Sequence, residues 1–372
     1  MAVSRASLRF RRARHLVFYW RGNRLFVHNY ATGRRVGAAP PLCRLLDCCG
    51  DWKTGDEIAS ALDVPVRLLR PLIRRLVDES MLARSDRAED SRTRAMSSLD
   101  AWNPEAGLFH TATKDVRFWP AIEAGRQARA KARHVPMPRA VKRYRGAKAV
   151  RLPPPADGTF AGVLVARRTW RRFSTKPLAL QDLATLLGLS AGVQQWVRSS
   201  PRDLPLKTSP SGGARHPIEC YVVARNVRGL GPGVYHYAAD RHTLERIHGP
   251  VSSKRIGSYY PSSRYFAKAP AHVFLTAVFA RQLWRYPYAR AYRAALAEAG
   301  HVCQTFCLTA TWRGLAPFCL MGLADSLIEH DLGIDGITES VLYAAGVGHP
   351  PRGASWAPLV RGSLSARRNS RM

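Results

Sequence analysis

Nine residues just past the middle of the chain, Ser209-Pro210-Ser211-Gly212-Gly213-Ala214-Arg215-His216-Pro217, are punctuated by two prolines and two adjacent glycines. Proline fixes φ and removes a backbone donor, while glycine opens φ values closed to other residues. The stretch therefore reads as a loop. It feeds directly into Ile218–Ala224, an apolar and aromatic run that reads as a strand. Two glycines before a strand let the backbone approach a flat ligand closely, and successive N–H groups make a nest for an acceptor. An ordinary Pro/Gly loop is the competing account.

Upstream lies a basic cluster, Arg167-Arg168-Thr169-Trp170-Arg171-Arg172-Phe173, just after the apolar run Phe160 to Val165. Residues 158–168 read as helix. Continued on that helix, Arg167 and Arg171 are i and i+4 and share a face, and Phe173 and Pro177 end it. Two guanidiniums so placed bind a phosphate bidentately. Taken alone, a solvated arginine-rich face is the simpler account, because 58 Lys and Arg oppose 26 Asp and Glu for a net charge of +32. That excess favours polyanions such as nucleic acid, acidic peptides or phosphates. A general arginine bias explains it equally, since the arginines are scattered rather than striped.

At 372 residues the chain has room for two domains. Its seven cysteines include no CxxC pair, which points to neither a zinc site nor a disulfide scaffold. Cys303 and Cys307, i and i+4 beside His301, read as core thiols. Reduced thiols fit a cytoplasmic protein. No apolar run reaches the ~18 residues of a membrane span, and the basic N-terminus lacks the pattern of a signal peptide. Walker A, GxGxxG and GxSxG are all absent from the sequence. P-loop, Rossmann and hydrolase readings thus have no support.

Residues 15–32 read as a hairpin turning at Arg21-Gly22-Asn23. Thr54-Gly55-Asp56-Glu57 is a capping-box pattern opening a helix that carries Ile58 and Leu62. A second helix runs from about Pro65, with Leu68, Leu69, Leu72, Ile73, Leu76 and Val77 at helical spacing, and Met81–Arg84 starts a strand. Helix, turn, helix, strand is the outline of a winged helix, placed at 1–90. Residues 91–150 read as a linker with an Ala/Arg helix near 120–133, partly packed on a second domain. That domain, 151–362, is α+β. It has helices at 179–192, 281–298 and 301–313, and strands at 218–224, 234–237, 271–279 and 340–347. Residues 315–321 are a short apolar stretch, and 363–372 read as a mobile basic tail.

The arginine cluster, Pro177-Leu178-Ala179-Leu180-Gln181-Asp182-Leu183, the Ser-Gly-Gly loop with its strand, and Gly233-Val234-Tyr235-His236-Tyr237 follow one another in order. Ala299-Gly300-His301-Val302-Cys303-Gln304, Gly314-Leu315-Ala316-Pro317 and Gly346-Val347-Gly348 complete the series. Over roughly 150–352 the chain resembles the nitroreductase superfamily, specifically its SagB-type dehydrogenase branch. The resemblance implies an FMN-binding α+β fold, with a central, mostly antiparallel sheet flanked by helices. It further implies a homodimer with flavin at the subunit interface. Arg167, Arg168, Thr169 and Arg171 would then contact the flavin and its phosphate. Ser211, Gly212 and Gly213 would lie along the isoalloxazine ring, and Leu320, Met321 and Gly322 would present backbone near its N5 side. Arg352, after Gly348, is a further phosphate candidate.

Azoline-oxidising members of that branch commonly carry a Lys-Tyr pair where this chain has Arg285-Tyr286. Arginine does not surrender its proton, so Arg285 is not a general base. Tyr286 remains an acid or base candidate, and a structural role for both stays open. The N-terminal module resembles the winged-helix module that grips a leader peptide in peptide-modifying enzymes. The expected activity is a two-electron, FMN-dependent oxidation, with a heterocycle in a modified peptide as one substrate class. The partners expected are a second copy, a precursor peptide or a modifying enzyme. Nucleic acid is less favoured, and no membrane is expected. An NAD(P)H-dependent reductase on the same fold is the alternative. A DNA- or peptide-binding adaptor with a degenerate flavin domain is a third reading. The aromatic segment Tyr259 to Phe266 reads as a lid, as core or as a dimer contact.

Overall fold

The computed structural model describes residues 7–137, 140, 153–200 and 202–354. The tail expected at 363–372 lies outside them. The described residues gather into two compact units. One is drawn from Met1–Lys114, Phe279–Arg293 and Asp335–Glu339, the other from Asp115–Val278, Ala294–Ile334 and Ser340–Met372.

The first unit opens with β1 (Arg9–Arg12) and the expected hairpin, β2 (Leu16–Arg21) with β3 (Arg24–Asn29). Gly22 turns it at φ 59°, a value that favours glycine. A strand the sequence pattern did not reveal, β4 (Arg34–Ala38), extends the hairpin, and α1 (Pro40–Cys48) follows with proline in its first turn. After β5 (Lys53–Thr54) comes α2 (Gly55–Leu62), whose capping box is present as expected. Thr54 Oγ1 accepts the Glu57 N–H at 3.2 Å, and the Glu57 carboxylate accepts the Thr54 N–H at 2.6 Å. α3 (Val66–Asp78) buries Leu69, Ile73 and Leu76 but leaves Leu68 and Leu72 exposed, so only part of its apolar set faces the core. β6 (Leu82–Arg84) and β5 flank β1, both antiparallel to it.

The stretch expected as linker contains α4 (Ser91–Ser97), capped by the Asp90 carboxylate, and α5 (Asn103–Ala112). Trp102 between them is 1% exposed and meets Phe279 edge-on at 4.6 Å. His110 joins this aromatic group. Its Nε2 lies 2.8 Å from the Gly336 carbonyl, which can only accept, so Nε2 carries the proton and Nδ1 accepts from Tyr292 Oη at 3.1 Å. Burial lowers the His110 pKa to about 4, consistent with a neutral ring.

The second unit begins with α6 (Ala121–Ala132), α7 (Thr159–Ala166), β7 (Leu178–Ala179) and α8 (Leu180–Ala191). Short strands β8 (Gln195–Val197) and β9 (Leu204–Leu206) precede β10 (Ile218–Ala224), β11 (Val227–Arg228), β12 (Gly233–Ala238) and β13 (Thr243–His248). Then come α9 (Ser253–Ser258), β14 (Ala271–Val278), α10 (Phe279–Arg285), which belongs to the first unit, and α11 (Ala291–Trp312). β15 (Ala316–Leu320), α12 (Asp325–Leu332) and β16 (Glu339–Gly348) are the last elements among the described residues. The central sheet has the order β13-β12-β10-β14-β16-β15. The β13–β12, β12–β10, β10–β14 and β16–β15 pairs are antiparallel.

Three expectations change. The arginine cluster is not helical: α7 ends at Ala166, and Arg167 has ψ 125°. Beyond it, the Trp170 N–H donates to the Pro317 carbonyl of β15 at 2.8 Å and the Ser174 N–H to that of His349, just after β16, at 2.9 Å. Arg167 and Arg171 are therefore not i, i+4 neighbours on a helix face. The helices expected at 281–298 and 301–313 divide instead at 286–290, because Pro287 cannot continue a helix. Gly300 sits inside α11 at a cost of only about 1 kcal/mol. Finally, Tyr259, Tyr260 and Phe266 are core, at most 3% exposed, and cluster with Phe274 and Phe318, so the lid reading fails for them.

Candidate functional site

The Ser-Gly-Gly loop is held in an uncommon backbone shape. Gly213, Ala214 and His216 all have positive φ, 60°, 50° and 42°. Only the glycine adopts such values without strain. The Ser211 hydroxyl accepts the His216 N–H at 2.9 Å, and the Arg215 Nε–H donates to the Gly213 carbonyl at 2.8 Å. Gly212 and Gly213 themselves are exposed.

Two contacts, one part-buried and one buried, fasten this loop to α11. Ser209 Oγ lies 3.2 Å from Thr305 Oγ1, and His216 Nδ1 lies 3.6 Å from Glu298 Oε1. Sequence reasoning missed both pairs. Ser209 and His216 stood inside the quoted loop, but nothing in a linear pattern connects them with α11.

The arginine segment runs beside β15. Arg168 folds one guanidinium nitrogen back to the carbonyls of Val165 and Arg167, each at 2.7 Å, and so caps the end of α7. Arg171 is exposed, while Arg167 and Thr169 are half-buried. Leu320, Met321 and Gly322 leave β15 in a tight turn, with the Leu323 N–H on the Met321 carbonyl. Arg352 is exposed in a turn after β16. The arginine segment, the Ser-Gly-Gly loop and the 320–322 turn are thus each tied to α11 or β15. Arg285 ends α10 in the first unit, and Tyr286 follows it. Arg285 is exposed, Tyr286 is half-buried, and the Tyr286 N–H donates to the Gln282 carbonyl.

Between α11 and β15 three thiols meet. Cys303, Cys307 and Cys319 place their sulfurs within 4.8 Å of one another. The first two are buried, as expected, but Cys319 was not foreseen beside them. Its thiol is pulled down by hydrogen bonds from Cys303 and Cys307. Burial opposes this, and Tyr343 and the Arg167 charge reinforce it. The Cys303 thiol is pushed well up.

By chemistry, the guanidiniums of the arginine segment suit a phosphate, and the glycine backbone of the loop suits a flat ring. Residues 164–349 match the nitroreductase family. A provisionally named nitroreductase of Methanocaldococcus jannaschii is 31% identical over 185 residues, 50% of this chain and 89% of that protein. The trifolitoxin-processing protein TfxB of Rhizobium leguminosarum bv. trifolii is 35% identical over 144 residues, 37% of this chain and 38% of its own length. A chain of the E. coli microcin synthetase McbBCD complex, with truncated pro-MccB17 bound, aligns at a TM-score of 0.42 and 21% identity. That alignment covers 69% of this chain and 97% of that one. No helix among the described residues is long and apolar enough to cross a membrane.

Proposed function

Because the chain belongs to the nitroreductase family, we propose that it is an FMN-dependent oxidoreductase of the SagB-type dehydrogenase branch. It takes two electrons from a heterocycle in a modified peptide and works in the cytoplasm. The observation that carries this reading is the gathering of the arginine segment and the Ser-Gly-Gly loop, distant in sequence, on α11 and β15. The sequence likeness to TfxB, a trifolitoxin-processing protein, supports a peptide substrate.

In this reading Arg167, Thr169 and Arg171 hold the phosphate-bearing end. Arg168 contributes what its capping of α7 leaves free. Ser211, Gly212 and Gly213 line the ring, the backbone of Leu320, Met321 and Gly322 borders its reactive edge, and Arg352 adds charge. A bound flavin supplies a two-electron acceptor. The guanidiniums favour negative charge on it, and they do so without reorganising. The family resemblance assigns the proton to Tyr286; Arg285, permanently charged, is not a base. Residues 1–90 serve as a winged-helix-like module that holds a leader peptide. α7 is the surface for a second copy: among the described residues it buries none of its side chains, and Phe160 is 70% exposed.

The M. jannaschii relative, by its name a nitroreductase, favours a second reading, a reductase on the same fold, for which NAD(P)H is the expected donor. NADPH that bleaches the bound flavin rapidly favours this second reading. A thiazoline peptide that loses two hydrogens favours the first. In either case denatured protein must release FMN, and a colourless protein ends both. Arg167→Ala with Arg171→Ala is expected to lose most of the cofactor while keeping its circular dichroism. Full flavin occupancy in that variant removes the arginines from the site.

A further inference from the structure

The meeting of Cys303, Cys307 and Cys319 asks for an explanation that the flavin reading does not supply. Cys303 and Cys307 face the same way because they are one helical turn apart on α11, and Cys319 reaches them from β15. Their sulfurs lie within 4.8 Å of one another. A d10 cation holding thiolates at ~2.3 Å sets its sulfurs about 3.8–4.0 Å apart, so the three need close by no more than about 1 Å. The ligands come from two rigid elements, which fixes their spacing. Cys319 is only half-buried, and Tyr343 Oη stands 3.8 Å from its sulfur, giving an oxygen near a fourth position.

We propose that Cys303, Cys307 and Cys319 form a site for one thiophilic d10 cation, zinc(II) or copper(I). Binding replaces the three S–H protons, which pass to solvent, with three sulfur–metal bonds, and no electron changes hands. Three thiolates around zinc leave a single negative charge. Thiolate ligands select soft cations over calcium, magnesium or manganese. The site is independent of the flavin reading: flavin-free protein would bind the metal as well.

The test uses the untagged full chain, reduced and handled without air. It is loaded with zinc or, in a second arm, copper(I), and then washed with a weak chelator. Wild type is expected to keep one metal per chain. Alkylation of Cys319, read by peptide mapping, should slow by at least ~10-fold on loading, while Cys43 and Cys48 react as before. Cys319→Ser should weaken binding by more than the roughly 100-fold that losing a second-shell contact brings. Cys48→Ser should leave binding unchanged. Because the footprint is read on the unaltered chain, misfolding of a variant does not remove the test. Retention of neither metal by wild type, or equal retention by Cys319→Ser, overturns the proposal. Retention of only one metal identifies the ion.

Discussion

At Gly346 a methyl group would meet the Phe318 ring at 2.2–2.3 Å and the Ala271 carbonyl at 3.0 Å. Phe318 lies opposite Gly346 in the β15–β16 register and stacks on Phe266 at 4.1 Å, so the ring has no room to retreat. Gly346→Ala should therefore destabilise the protein by about 1–3 kcal/mol through overpacking. Equilibrium urea unfolding checks this, and an unchanged midpoint would show that the strands can part. The sequence presented Gly346-Val347-Gly348 as a motif but did not show why it is needed. The reason lies with Phe318, a residue of another strand. The same limit applied to the arginines. They were legible as a cluster, but read on a helix they do not occupy: α7 ends at Ala166, and the Trp170 and Ser174 N–H groups donate to the Pro317 and His349 carbonyls.

Elements were legible wherever their signal is local. The Thr54–Glu57 box needs only residues three apart, and it formed as read. Thr54→Ala should cost about 1 kcal/mol, measurable as a lower thermal midpoint; no change would mean that tertiary packing alone holds α2. β10 matches the strand read at 218–224, and β12, β14 and β16 lie close to the strands read from their apolar runs. β4 and β13 were missed, having charged residues at several positions: Arg34-Arg35-Val36-Gly37-Ala38 and Thr243-Leu244-Glu245-Arg246-Ile247-His248. Their strand character comes from pairing with β3 and β12. α11 was divided at Gly300 because glycine weakens a helical pattern on paper more than it weakens a helix within a packed unit.

For the whole molecule, periodicity says nothing of which distant segments share a core. Residues 279–293 and 335–339 belong to the unit that begins the chain, through contacts such as Trp102 with Phe279 and His110 with Gly336. The cysteine trio is legible only in three dimensions for the same reason. If α7 is covered by a second copy, Phe160→Glu with Leu164→Glu should shift the sedimenting species from dimer to monomer. An unshifted mass would place the interface elsewhere. Glu298 and Thr305, which fasten the Ser-Gly-Gly loop to α11, are seven positions apart, close to two full turns. Inserting one residue between them would swing one anchor about 100° around the axis relative to the other. The helix thus acts as a ruler for the loop. Exposed positions between them, such as His301 and Gln304, tolerate changes of residue, but single-residue changes of length break the register.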